Sequence, residues 1–443
     1  MTAHVAVSAP GKVLLAGGYL VLDREYSGLV FGLSARINTI LTPLETSEGA
    51  QAQEIVVESP QFVDAIWRFS WHLAPADGGI VVTQLQDGVK VSRNPFVETA
   101  LGYALTFVHA MSPEASKHSI GAAKLKILAD KNYYSTQDLS DEEAKREFPY
   151  FGTLISEAKK TGLGSSAALV TSLTGAILAY YLGFKLESAK ERLILHNLAQ
   201  ASHCAAQGKV GSGFDVAAAV FGSCKYRRFS PSTLGPENIP ELGGAGFASK
   251  LKTLITSQWD ANIKTDVSLP IDTVLAMFDV ACGTSTVSMV KGVLKWRAED
   301  PSGSKALWDK LYIQNERLAA VCLSGNKAKF KPIIEGIRVN IREMTKQTGM
   351  PIEPESQTKL LDAISEVKGV YGAVVPGAGG SDAISVLADK TAMGPLETFE
   401  KTWNEANTNT TNEGNTNTIR LLKVEAESDG IKLEPLAKFE EWI

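Results

Sequence analysis

Cysteine is scarce in this 443-residue chain. The four residues, Cys204, Cys224, Cys282 and Cys322, show no CxxC spacing, which argues against a zinc knuckle and against a disulfide framework. Positive charge is not in excess either: 44 Lys and Arg stand against 49 Asp and Glu, for a net charge of −5. No nucleic-acid partner is therefore expected, and any anionic ligand has to be met by a few locally placed cations. Long apolar runs are also missing. No stretch reads as the roughly 18 apolar residues of a membrane span, so no membrane partner is expected. The opening MTAHVAVSAPGKVLLAGGYLVL has neither a charged n-region nor an unbroken apolar run, and reads as a strand and a turn. Apolar residues at 44% and charged residues at 21% are the balance of a globular protein. The length exceeds what one core usually supports, which implies two lobes. These features together predict a reduced, cytoplasmic protein.

Organisation follows the glycines. Residues 1 to about 90 alternate in short apolar runs and predict a β-rich opening. Asn94 and Pro95 read as the cap and first position of a helix. Residues 112–150 are polar, with one β-like run at Lys124–Leu128, and predict an edge strand plus a surface excursion away from the functional centre. A small-residue helix is predicted over Ser165–Leu182, with Leu169, Leu173 and Ile177 four apart and Gly183 as its stop. A second is predicted over Leu186–Gln207, ended by Gly208. From about 246 the pattern restarts, with a strand at Thr273–Phe278, helices around 305–346 and 357–367, and a run from Gly369 to Val375. The expected division is a first domain over 1–245 and a second over 246–443. In the second, the Asn/Thr-rich stretch 404–418 reads as a flexible loop between two late strands. Asn409-Thr410-Thr411 is formally a glycosylation sequon.

Thr161-Gly162-Leu163-Gly164-Ser165-Ser166-Ala167-Ala168 carries most chemical information. Gly162 and Gly164 permit positive φ and close backbone approach, and the N–H groups that follow sit unpaired at the positive end of a helix. Ser165 and Ser166 add hydroxyls where a phosphate oxygen or its Mg²⁺ would lie. Alone, the segment serves equally well as a helix cap. Three further turns accompany it: Ala9-Pro10-Gly11-Lys12, Lys209 to Asp215, and Pro376-Gly377-Ala378-Gly379-Gly380-Ser381-Asp382.

In that order, Pro10 to Tyr19, Gly162 to Ala168 and Pro376 to Asp382 resemble the three motifs of the GHMP kinase superfamily. Gly17-Gly18-Tyr19 stands where galactokinases and mevalonate kinases carry Gly-Glu-His. That triplet, Lys160 to Ala168, and His196 through Ala219 are most similar to the phosphomevalonate kinases of eukaryotes, especially the fungal type. Lys159-Lys160-Thr161 departs from the Pro and extra Gly that many members carry there. The resemblance implies an α+β fold of two lobes: an N-terminal lobe with a left-handed βαβ unit and a ferredoxin-like C-terminal lobe, with the site between them. It also implies ATP and Mg²⁺ as cofactors, 5-phosphomevalonate as small-molecule substrate, and 5-diphosphomevalonate and ADP as products. A monomer or weak homodimer is expected. Mevalonate kinase, or a non-catalytic sensor of the same fold, is the alternative.

Residue by residue, the resemblance places Lys12 beside the transferring phosphoryl group and Asp215 as the catalytic aspartate. Chemistry refines the second role, because a phosphate acceptor with a second pKa near 6 is already ionised. Asp215 is expected to orient Lys12 as its ion-pair partner and to hold Mg²⁺ with Ser166. ATP is expected to meet Lys160, Thr161, Gly162, Leu163, Gly164, Ser165, Ser166 and Ala167. Asn94 either lines the adenine pocket or only caps its helix. The acceptor is expected to meet Lys12, Tyr19, Ser165, Ser212, Gly213, Ala378, Gly379 and Gly380, with a core tyrosine the competing reading at 19. His203, Lys209 and Arg24 read as a helix-face histidine and surface cations, and Thr284-Ser285-Thr286 as a segment near the cleft.

Overall fold

Alternating apolar residues at the start of the chain build two long antiparallel strands, β1 (Val5–Ala16) and β2 (Gly28–Pro43). They form the centre of the larger sheet in the computed structural model, which describes residues 4–44, 53–86, 91–112, 120–137, 139–280, 286–408 and 418–443. The sheet continues through β3 (Glu54–Glu58), β4 (Ile66–Leu73), β5 (Ile80–Gln84) and β6 (Ala123–Ala129). Short strands β7 (Cys224–Arg227) and β8 (Asn262–Lys264) add to it beside β2. Helix α1 (Pro95–Met111) opens as expected, with the Asn94 side chain accepting from the Val97 N–H. Its companions are α2 (Ser165–Leu182), α3 (Ala189–Gln207), α4 (Phe214–Phe221) and α5 (Phe247–Thr256). Glycines in the left-handed region stop α2 at Gly183 and α3 at Gly208.

The small residues of α2 let it bury most of its circumference against α1, α3, β1 and β2. Ser172 and Thr39 join it to β2 through a hydroxyl pair at 2.9 Å. In length and apolar content this helix does match a membrane span, contrary to the expectation that no stretch would. It is instead a core helix, with 61% of the span buried inside the protein.

The second sheet is antiparallel throughout, in the order β10-β11-β9-β12, with β9 (Thr273–Val280), β10 (Val370–Val374), β11 (Ala383–Asp389) and β12 (Ile419–Leu422). Between β9 and β10 run α6 (Thr286–Glu299), α7 (Pro301–Ser324), α8 (Phe330–Thr348) and α9 (Glu355–Ser365); between β11 and β12 runs α10 (Met393–Thr408). That connectivity and strand order are those of a split βαβ, ferredoxin-like unit.

The expectations need correcting in three places. β6 is no edge strand: it lies between β2 and β3, because Ala123, Leu125 and Ile127 face a buried side. The stretch after it is anchored by the buried rings of Tyr133, Tyr134 and Phe148. Nor do the strands divide at residue 245. β8 pairs in the larger sheet, as do β13 (Ala426–Glu427) and β14 (Lys432–Leu433) at the far end of the chain. Finally, α10 extends through 404–408, so the Asn/Thr-rich stretch 404–418 begins inside a helix and is not a loop throughout, and Asn404 is bonded to both backbone groups of Ile419. The sequon, Thr284 and Ser285 lie outside the described residues.

Candidate active site

A register shift between Pro10 and Gly11 breaks the pairing of β1 with β2 where the chain passes beneath the Gly162–Gly164 loop. Gly11 makes the approach possible: a Cβ there would stand 2.9 Å from the Leu163 carbonyl oxygen and 2.9 Å from the Tyr133 hydroxyl. The Lys12 N–H then donates to the Leu163 carbonyl at 2.9 Å, and its Nζ lies 3.4 Å from the Gly162 carbonyl. Gly164, at φ +82°, holds its Cα against the lysine stem, and a Cβ would come within 2.9 Å of Lys12 Cε. Lys12 Nζ also lies 5.6 Å from the centre of the Phe214 ring.

Gly164 caps α2 without any side-chain hydrogen bond. The N–H groups of the first turn, at Ser165, Ser166 and Ala167, therefore face outward at the positive end of the helix. Burial of Lys12 draws its pKa below that of an ordinary lysine, and the nearby Asp215 charge opposes the shift. Asp215 acts on it through space, because the described ion pairs include no Lys12–Asp215 contact within 4.0 Å. This replaces the expected direct pair.

Asp215 stands in the first turn of α4, behind Gly213 at φ +89°, and accepts from the Val216 N–H at 3.0 Å. Its other oxygen lies 4.0 Å from Nδ1 of His203. The opposite ring nitrogen, Nε2, is 3.1 Å from the Ser166 hydroxyl. His203 is 2% exposed and joins the loop serine to the aspartate, so it is neither a surface residue nor a bystander on its helix.

The third motif docks on the first. The Gly377 N–H donates to the Leu14 carbonyl at 3.0 Å, and Gly18 is obligatory because a Cβ would meet the Gly377 carbonyl oxygen at 2.0 Å. The Tyr19 hydroxyl donates to the Ala378 carbonyl at 2.6 Å. Gly379 and Gly380, both at positive φ, pack on Ile352, whose carbonyl accepts from the Gly380 N–H. Within the 161–164 loop, Thr161 and Leu163 turn inward: Thr161 is held by the backbone of Asn132 and Tyr133, and Leu163 is in the core. Lys160 is exposed and pairs its backbone with Tyr134. The supposedly remote 120–150 stretch thus shapes the loop from below.

Tyr19, Ser212, Asp215 and Ala378 open onto one cavity of about 500 Å³ between the lobes, closed on the far side by Val290, Lys291 and Leu294 of α6. Lys209 also lines it. Arg24 does not, being paired with Asp260 at 2.7 Å. The sequence reading missed two buried lining residues, Gln200 and Arg228. A signal for Arg228 existed: in Cys224-Lys225-Tyr226-Arg227-Arg228 strict alternation sets Arg228 on the face of the buried Tyr226, opposite Lys225 and Arg227.

Residues 143–223, which carry the Gly162–Gly164 loop, His203 and Asp215, match the GHMP kinases N terminal domain. The chain is 52% identical to phosphomevalonate kinase from Gibberella zeae over 99% of this chain and 98% of that protein. It is 41% identical to the Aspergillus fumigatus phosphomevalonate kinase over 100% and 99%. In fold it is similar to the Streptococcus pneumoniae phosphomevalonate kinase solved with phosphomevalonate and AMPPNP. There the TM-score is 0.62 at 17% identity, covering 96% of this chain and 100% of that one.

Proposed function

The chain belongs to the phosphomevalonate kinases of the GHMP superfamily, and on that premise we propose that it transfers the γ-phosphoryl group of ATP to the phosphate of 5-phosphomevalonate. An acceptor phosphate oxygen bonds to the γ-phosphorus and the bond to the bridging oxygen breaks. The products are 5-diphosphomevalonate and ADP, on the mevalonate route to isoprenoids and sterols. The observation that carries the reading is the seating of Lys12 on the 162–164 loop beside a cavity lined with cations.

Donor and acceptor are both anions, and their approach is opposed by their own charge. The first-turn N–H groups of α2 supply fixed dipoles for the donor phosphates. Lys12 adds a full charge that costs no reorganisation as the transition state forms. A magnesium ion, when bound, neutralises phosphate charge. Mg²⁺ takes one or two carboxylates plus phosphates and keeps waters, and the half-buried Asp215 carboxylate with the Ser166 hydroxyl is a donor set of that kind. Asp215 has no proton to remove from an ionised acceptor, so its work is electrostatic. Asn94, whose side-chain oxygen caps α1, would meet the adenine side through its amide nitrogen. The three cysteines among the described residues are free and buried, which supports placement in a reducing compartment, the cytoplasm.

The test is ADP release from purified protein with ATP and Mg²⁺, given phosphomevalonate or mevalonate. Turnover of phosphomevalonate is expected. Turnover of mevalonate instead, or of neither, overturns the assignment.

A further inference from the structure

Among the described residues lining the inter-lobe cavity, two buried side-chain atoms lack any partner: Nε of Arg228 and Oε1 of Gln200. Both residues are deeply buried, at 7% and 1% exposure. Arg228 is held rigidly. Its Nη1 donates to the Leu22 carbonyl at 2.8 Å and its Nη2 to the Gly211 carbonyl at 2.9 Å. Those acceptors are neutral, and no described carboxylate pairs with the guanidinium. Its neighbours differ: Arg24 is paired with Asp260, and Arg297 with Asp23. Of the carboxylates, only the more distant Asp23 acts on it through space. A buried cation with no directly paired carboxylate is costly to keep, and a buried donor or acceptor without a partner adds to that cost.

The two orphans flank one turn. Arg228 bonds to Gly211, while Gln200 Oε1 lies 2.8 Å from where a Cβ on Gly213 would stand. Just beneath this wall lie a charged N–H on one side of the turn and an acceptor on the other, each in a side chain that lines the cavity. A ligand that satisfies both needs an anionic oxygen and a hydroxyl hydrogen within a few bonds of each other. A phosphate dianion has no hydrogen to give, whereas a hydroxy acid has both groups.

We propose that Arg228 and Gln200 form the subsite for the hydroxy-carboxylate end of the acceptor, with Arg228 Nε–H donating to the carboxylate and Gln200 Oε1 accepting from the hydroxyl. This inference rests on the functional reading above. It leaves the phosphate end of the same molecule to Lys12 and the α2 loop, so the acceptor spans the cavity with one anion at each end. Lys209 and Lys291, exposed at the rim, add long-range attraction for a ligand with that charge.

The experiment compares wild type, Arg228→Gln and Arg228→Lys. It measures KM for phosphomevalonate, KM for ATP, and the Ki of isopentenyl phosphate, which has the phosphate but neither carboxylate nor hydroxyl. Arg228→Gln is expected to raise KM for phosphomevalonate by about ten- to a hundredfold. KM for ATP and Ki for isopentenyl phosphate should stay within about twofold. Arg228→Lys keeps the charge in place and should show the same split at smaller size, which preserves the test if Arg228→Gln does not fold. An unmoved KM for phosphomevalonate in both variants overturns the inference. So does a Ki for isopentenyl phosphate that rises in step with KM, which would assign Arg228 to the phosphate end or to the fold. Wild type that does not turn over phosphomevalonate overturns the functional reading, and this subsite with it.

Discussion

Nε2 of His203 lies 3.1 Å from the hydroxyl oxygen of Ser166, across the gap between the second turn from the end of α3 and the first turn of α2. The same ring approaches Asp215 through Nδ1 at 4.0 Å. One buried side chain therefore sets the spacing between the hydroxyl and carboxylate proposed to share a metal ion. Removing a group that orients such ligands typically costs about ten- to a hundredfold in activity. His203→Ala should lower kcat by that amount in steady-state assays. His203→Gln, whose amide reaches towards Ser166, should recover part of it. A kcat for His203→Ala within about twofold of wild type would count against the role.

Gly164 and Lys12 form a second coupled pair. A methyl group at Gly164 would meet the lysine stem at 2.9 Å in a backbone at φ +82°, so Gly164→Ala should push the ammonium off the loop. Lys12→Met should reduce kcat by about a hundred- to a thousandfold, the usual loss for one preorganised charge at a transition state. If Gly164→Ala acts through Lys12, adding it to Lys12→Met should cost little more. Losses that simply multiply in the double variant would show that the glycine acts elsewhere.

The pH dependence follows from the environment of Lys12. Burial lowers its pKa, and Asp215 raises it in opposition. The charged form is thus lost at a lower pH than for an ordinary lysine, and activity falls as pH rises through that value. Asp215→Asn removes the opposing charge, so the alkaline limb of kcat/KM should move to still lower pH. A limb that stays in place, or moves upward, contradicts the coupling.

Tyr19→Phe tests the link between the first and third motifs. It removes the 2.6 Å bond to the Ala378 carbonyl and leaves that oxygen without this donor. Stability in urea unfolding should fall by about 1 kcal/mol, and KM for the acceptor should rise because the 377–380 turn loses an anchor at the cavity wall. Unchanged values for both would mean that the turn is held by the Gly377 N–H and Leu14 bond alone.

Much of the fold was legible because local rules and tertiary packing agree. Gly183 and Gly208 end α2 and α3 where the sequence placed the stops, and Asn94 caps α1 as its side chain suggested. The polar surroundings at 112–150 suggest an edge for β6, yet it pairs on both flanks, with β2 and β3. The assignment of 426–433 to the larger sheet was invisible, since hydrogen bonding of β14 to β1 joins residues more than 400 positions apart.

For the site, the sequence by itself determined the backbone chemistry. Glycines at 11, 162, 164 and 213 allow close approach and positive φ, which is a property of the residue type and needs no neighbour to be read. Lys12 and Asp215 were legible through the family resemblance of the motifs that carry them. Tertiary structure alone decided the rest. His203 and Gln200 look in sequence like polar residues on a helix face, and for Arg228 alternation shows only that it shares a face with Tyr226. Their significance comes from being buried, because only removal from water makes an unpaired nitrogen or oxygen demand a partner, and which groups lose water is settled when distant segments pack together.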